Sequence, residues 1–258
     1  MRANPSSTLL FFLSACLLIS CSKSTEEFET EQINDYLNLQ PGKYLTYRLD
    51  STVFLQQGRR EETHSYQERH VVDALRTDNL GRPSYRIFRY LRDTSGLQPW
   101  APAGTYWITP LRNTMELIEN NIRSIRLTLP IKQDKDWKGY GFLFQSPNPL
   151  GQLFGDDFNN DDNMFDWDFT YEDLKQTVVL NGKTFNDVIV VKHIDESANV
   201  PITDPNAYGF INYSEDQYAK GVGLIYQRLI MWEYQVIPGG PSPYKVGFGV
   251  KRSLLDHN

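Results

Sequence analysis

Cysteine is nearly missing from this chain. Its 258 residues include two, Cys16 and Cys21, and both fall in an apolar segment near the N-terminus. Everything after Cys21 is cysteine-free, which excludes an internal disulfide framework, a thiolate metal centre and a cysteine nucleophile in the body of the chain. No apolar run reaches the roughly 20 residues that a membrane-spanning helix needs. Dense clusters of Lys and Arg are missing too: Arg59 and Arg60 are answered by Glu61 and Glu62, and the formal charge of the whole chain is −6. A nucleic-acid partner is therefore not expected, since phosphate-backbone recognition calls for a basic face. The sequence shows no fixed-period repeat, no Gly-x-Ser-x-Gly elbow, no Walker loop and no Ser-x-x-Lys element.

What is present is ordinary for a folded domain: 40% hydrophobic and 22% charged residues, enough to bury a core. Aromatic residues make up 13% of the chain, and aromatics favour pleated, half-buried surfaces, so the composition leans toward strands. The length fits one large β domain or two small ones, and one is expected.

The N-terminus reads as a processing signal. Arg2 precedes an uncharged apolar run over residues 8–20, the length of a signal-peptide core, and a polar stretch beginning at Ser22 follows. Leu18-Ile-Ser-Cys21 resembles a lipobox, in which the cysteine is acylated and becomes the new N-terminus; Ile19 is bulkier than usual there. Leu13-Ser-Ala-Cys16 matches by residue type more closely, but processing at Cys16 would leave Leu17, Leu18 and Ile19 exposed behind the anchor. Cys21 is preferred because polar chain follows it at once. The expected organisation is a signal peptide over residues 1–20, an acidic tether over 21–38 carrying Glu26, Glu27, Glu29 and Glu31, and a single β-rich domain over 39–258. Such an anchor implies attachment to a membrane through lipid, with burial of each methylene contributing about 0.8 kcal/mol. Ser22 resembles outer-membrane sorting, which implies an outer-membrane lipoprotein facing the periplasm or the cell surface.

Along the body of the chain, period-two segments alternate with turn residues. Strands are expected over 44–55, 64–75, 84–93, 106–109, 114–119, 122–129, 165–171, 176–180, 185–195, 224–236 and 247–255. Within 165–171, Phe165, Trp167, Phe169 and Tyr171 alternate with Asp166, Asp168 and Thr170, the cleanest period of all. Asn120-Asn121 and Asn181-Gly182 are hairpin turns, because both residue types tolerate positive backbone φ. One short helical turn is expected over 214–220, with Ser214 as N-cap, Gln217 completing a capping box and Gly221 as the stop. Hairpin-connected strands in this number predict a mainly β fold with little helix. The expected form is an antiparallel curled sheet or half-barrel, with a β-sandwich as the alternative.

Three features carry a resemblance: the lipobox region, Pro41-Gly-Lys-Tyr44 with Asp50-Ser51 behind it, and Tyr218-Ala-Lys-Gly-Val-Gly-Leu-Ile-Tyr226. Together they resemble small uncharacterised lipoproteins of Bacteroidota, and the last resembles a turn into a late strand of LolA-like half-barrels. The resemblance covers about a fifth of the chain, implies a fold and a compartment, and carries over no catalytic residue. Gly221 and Gly223 read as a tight turn or bulge at a strand entrance; as a phosphate loop they fail, because Tyr226 stands where a third glycine is required.

Candidate chemistry is sparse. In EF-hand register Asp157, Asn159, Asp161, Asn163 and Asp168 fall on ligand positions for calcium. Asp162 occupies the place of the required Gly and Asp168 that of the bidentate Glu, and a solvated Asn/Asp-rich loop explains the same residues. His64 and His70, six apart in a strand, lie about 20 Å apart at roughly 3.3 Å per residue and do not share a metal. His193 is expected to pack in a hydrophobic strand, and Asp93-Thr-Ser-Gly96 to form a turn. The five tryptophans are mostly core, although an aromatic concave face could also hold an acyl chain or a glycan. The leading expectation is a non-enzymatic envelope lipoprotein that binds an apolar or amphipathic ligand or an envelope protein. A surface glycan-binding accessory lipoprotein is the alternative, and a hydrolase the third reading.

Overall fold

A computed structural model describes residues 31–143, 149–150, 158, 160, 163–237, 239–240 and 242–258. The fold is mainly antiparallel β, with 64% of residues in strands and 5% in helix. Twelve strands follow in order: β1 (Tyr44–Leu55), β2 (Arg60–Thr77), β3 (Pro83–Asp93), β4 (Ala101–Pro110), β5 (Thr114–Glu119), β6 (Ile122–Thr128), β7 (Asp136–Lys138), β8 (Asp168–Leu180), β9 (Lys183–Ala198), β10 (Gly209–Ala219), β11 (Gly223–Gln235) and β12 (Tyr244–His257). All belong to one sheet nearly closed into a barrel, so the half-barrel expectation holds and the sandwich does not. Each strand pairs with its sequence neighbour except at β6 and β7; the first and last strands pair instead, β1 with β12.

Hairpin chemistry sets this meander. Asn120 and Asn121 turn β5 into β6 with φ of 51° and 63°, and Asn181-Gly182 turns β8 into β9 with φ of 50° and 77°. Gly221 (φ 76°) and Gly223 (φ 109°) form the β10–β11 turn, and a bulge sits just beyond at Gln217/Tyr218. Asp78 Oδ1 accepts from the backbone N–H of Leu80 and of Arg82, both at 2.9 Å, and so shapes the turn between β2 and β3.

Three expectations need correction. Residues 214–220 are not helical: Ser214 to Ala219 belong to β10, where Asn212, Ser214, Asp216 and Tyr218 are buried on one face. Pairing with β9 and β11 on both sides outweighs a cap signal that local sequence alone supplied. The segment 165–171 is a strand only from Asp168, because Met164–Asp166 forms a single 3-10 turn that lets Trp167 swing into the core at 2% exposure. Within residues 21–38, expected as solvated tether, Ile33–Tyr36 is a 3-10 turn with Ile33 and Tyr36 buried, and Asp35 C=O accepts from Gly221 N–H at 2.6 Å. Burial of two large side chains outweighs the acidic character of the flanking sequence.

The seam between β6 and β7 is closed by side chains more than by a ladder. Ile125 N–H donates to Gly139 C=O at 2.7 Å. Trp137 Nε1–H donates to Ile125 C=O at 2.9 Å. Tyr171 OH donates to Thr128 C=O at 2.8 Å and accepts from Thr128 N–H at 3.0 Å. Behind them Tyr140, Trp167, Phe169 and Tyr171 pack as an aromatic plug in the larger core cluster. Gly139 lies flat against the Phe169 ring, where a Cβ would collide.

Candidate functional site

An eight-stranded barrel is just filled by its own side chains, so a twelve-stranded one leaves interior space to be dealt with. Strand register shows how. At one end β1, β11 and β12 direct Tyr47, Ile225 and Leu254 inward, where they pack with Phe185, Val188 and Ala219 as an apolar floor. The next inward row runs Leu49, Arg252, Gln227, Asp216 across β1, β12, β11 and β10. After it come Ser51, Val250, Leu229 and Ser214, then Phe248, Met231 and Asn212. A polar belt thus crosses the middle of the barrel, with an apolar wall above it.

Above the belt lies a cavity of about 790 Å³. Its walls include Val53, Leu117, Leu229, Met231, Val246, Phe248 and Val250, and at its mouth stand Gln57, Gly58 and Asn120 from turns and Lys245 from the start of β12. Arg89, Arg126 and Arg252 reach its floor, and Glu119 is the one carboxylate among the described lining residues.

Each arginine is held by a carboxylate. Arg252 Nε lies 2.5 Å from Glu68 Oε2, Arg89 Nη1 2.6 Å from Glu119 Oε1, and Arg126 Nη1 3.6 Å from Asp216 Oδ2. Glu68 and Asp216, 3% and 1% exposed, lie behind the guanidinium groups and not at the cavity surface. The cavity therefore meets cations first, inside a protein of net negative charge. Arg126 also donates to Ser124 Oγ at 2.9 Å and to Tyr140 OH at 3.2 Å, and its guanidinium lies over the Phe169 ring. Gly104 leaves room for the Arg89 side chain, since a Cβ there would press on its guanidinium.

Burial and pairing set the charge states. For Glu68 burial favours the neutral acid, but the Arg252 guanidinium and the His70 hydrogen bond outweigh it and hold the carboxyl well below the usual carboxylate range. His70 is pushed down by burial, partly offset by Glu68, and its Nδ1 meets Tyr106 OH at 2.9 Å. His193 is pushed down to about 3, by burial first and by Arg126, with Asp216 opposing. Arg126 and Arg252 stay charged, their pKa raised by their carboxylate and tyrosine neighbours against the cost of burial.

No family model, no curated sequence and no solved structure matches the chain.

Ser214, His193 and Asp216 have the residue types of a nucleophilic triad: His193 Nδ1 meets Ser214 Oγ at 2.7 Å and Nε2 lies 3.6 Å from Asp216 Oδ2. The chemistry is poor for that role. With a pKa near 3 the imidazole is a far weaker base than the near-neutral group that proton abstraction calls for. Its ring is wholly buried, stacked on Phe169 at 3.8 Å, and the Arg126 guanidinium opposes its protonation. His193 thus packs as expected, and also joins the polar belt.

Cys21, Asp157, Asn159 and Asp161 fall outside the described residues. Asn163 Oδ1 accepts from Trp167 Nε1–H at 3.1 Å, and Asp168 pairs with Lys138 at 2.9 Å, so each has a structural partner in the chain. Among the described residues no cluster of His, Cys, Asp and Glu is arranged to hold a metal. His64 pairs with Glu62, away from His70 in the barrel interior. Tryptophan does not line the cavity: Trp137 and Trp167 pack at the seam, and Trp100 stacks between Arg69 and Arg92. Arg89, Arg126 and Arg252 escaped the sequence reading, although their parity was available: Ile122, Ser124 and Arg126 share one face of β6, as do Val246, Phe248, Val250 and Arg252 of β12.

Proposed function

We propose that this chain is a non-enzymatic binding protein of the bacterial cell envelope, tethered to the outer membrane through lipid on Cys21, that holds an amphipathic small molecule inside its barrel. One observation carries the reading: a cavity of about 790 Å³ with an apolar wall on one side and a hydrogen-bonded charged belt on the other. That volume lies within the roughly 300–1,000 Å³ of small-molecule sites, and a mostly apolar lining with a few fixed polar groups is their usual chemistry. The depressed basicity of His193 favours binding over hydrolysis. The glycan reading gains no support from the tryptophans, none of which is among the described residues that line the cavity. Native mass spectrometry of the chain released in mild detergent tests the proposal. One retained amphiphile per chain is expected; empty protein that also fails to bind a fluorescent apolar probe would overturn it. A change in membrane attachment on Cys21→Ser tests the anchor, and persistence of attachment would move the anchor to Cys16.

A further inference from the structure

From the chemistry of the cavity floor, and resting on the binding role just proposed, we infer that the ligand is an anionic amphiphile whose carboxylate or phosphate head sits on Arg89, Arg126 and Arg252 while its tail lies along the apolar wall.

The imbalance at the surface of the cavity points this way. Among the described residues, its charged lining is Arg89, Arg126, Arg252 and Lys245 against Glu119. The carboxylates that neutralise Arg252 and Arg126 lie beneath them, so the guanidinium groups keep donors for a group above. Arg89 gives the sharpest sign. Its Nε is buried and has no hydrogen-bond partner among the described residues, although Glu119 is engaged through Nη1. A buried donor left unmade is costly, and the guanidinium that carries it lines the cavity, where its outward donors can make charge-assisted bonds to an oxyanion. Guanidinium groups match the planar oxygens of carboxylate and phosphate, which makes arginine the suited receptor for such a head. A cationic head would meet three like charges, and a neutral alcohol would leave the Arg89 donor poorly used. Lys245, stacked over Trp232 at 4.2 Å and paired with Glu61 at the mouth, adds attraction for an entering anion.

The test compares heads on one tail. Binding of dodecanoate, dodecyl phosphate, dodecanol and dodecyltrimethylammonium to the full chain, below their micelle concentrations, separates head from tail. Either anion should bind at least about tenfold tighter than dodecanol, the effect of one or two charge-assisted hydrogen bonds, and the cation most weakly. The ratio of dodecanoate to dodecyl phosphate shows which oxyanion the floor fits. Arg89→Gln is the first variant, because Glu119 is 31% exposed and tolerates loss of its partner. It should erase most of the anion preference and leave dodecanol binding unchanged. Glu119→Gln should tighten anion binding, an outcome that a folding defect cannot imitate. Equal binding of dodecanoate and dodecanol, or retention of the preference in Arg89→Gln, would overturn the anionic head while the binding role stands. Failure of all four compounds to bind would overturn both.

Discussion

The barrel wall is closed in two different ways. Where the chain's ends meet, β1 and β12 pair continuously from Leu45 opposite His257 to Thr52 opposite Gly249, with one shift at Thr46/Tyr47. Where the middle of the chain meets itself, between β6 and β7, the ladder gives way to Trp137, Tyr171 and an aromatic plug. A ladder is repetitive and made by the backbone, and loss of one side chain barely weakens it. The plug concentrates closure in a few large residues, and it carries the polar belt too, since Arg126 on β6 reaches Asp216 on β10 across it.

Phe169→Ala breaks the plug most severely. This ring is fully buried beneath His193 and beside Gly139 and Tyr140. Denaturant unfolding should show a loss of about 3–5 kcal/mol, the usual range for a buried phenylalanine.

Acid separates the two closures next. The folded chain refuses a proton on His193 until the pH approaches about 3, whereas the unfolded chain takes one up below 6.5. Stability is therefore fully present above 6.5 and falls through that window, with a slope of up to about 1.4 kcal/mol per pH unit from this one group. Glu68, also depressed, adds to the loss below about 4.5. Hydrogen exchange should report opening at β6 and β7 before β1 and β12, and His193→Gln should flatten the slope between 6.5 and 4.5.

A smaller effect is expected for Tyr171→Phe, which leaves both Thr128 N–H and Thr128 C=O unpaired at the seam and should lower stability by about 2 kcal/mol. The matching change on the other closure, Tyr44→Phe, removes a hydrogen bond to Asp256 on the outer surface, and thermal unfolding should register at most about 0.5 kcal/mol. Equal effects at the two positions would contradict the difference drawn between the two closures.

The outer wall was legible in the sequence and the interior was not, for one physical reason. Strand limits could be read from period and turn residues: β1 at Tyr44–Leu55 and β5 at Thr114–Glu119 match the sequence reading. In β10 the inward face is Asn212, Ser214, Asp216 and Tyr218, mostly polar, so the period pointed nowhere and a cap motif filled the gap. The three arginines were hidden in the same way. A lone Arg in a strand reads as solvent-facing unless its parity is checked against apolar neighbours, as Arg252 against Val250 and Leu254. Closure at β6 and β7 rests on contacts between residues distant in sequence, such as Tyr171 with Thr128, which no local pattern encodes.

A crystal structure of the chain with a dodecanoate brominated at its tail addresses the central claim most directly. The carboxylate is expected within hydrogen-bond distance, about 3 Å, of Arg89 or its neighbours Arg126 and Arg252, with the bromine among Leu229, Val246 and Phe248. Bromine bound only outside the barrel, or a carboxylate pointing to the mouth with the tail on the arginines, would contradict it.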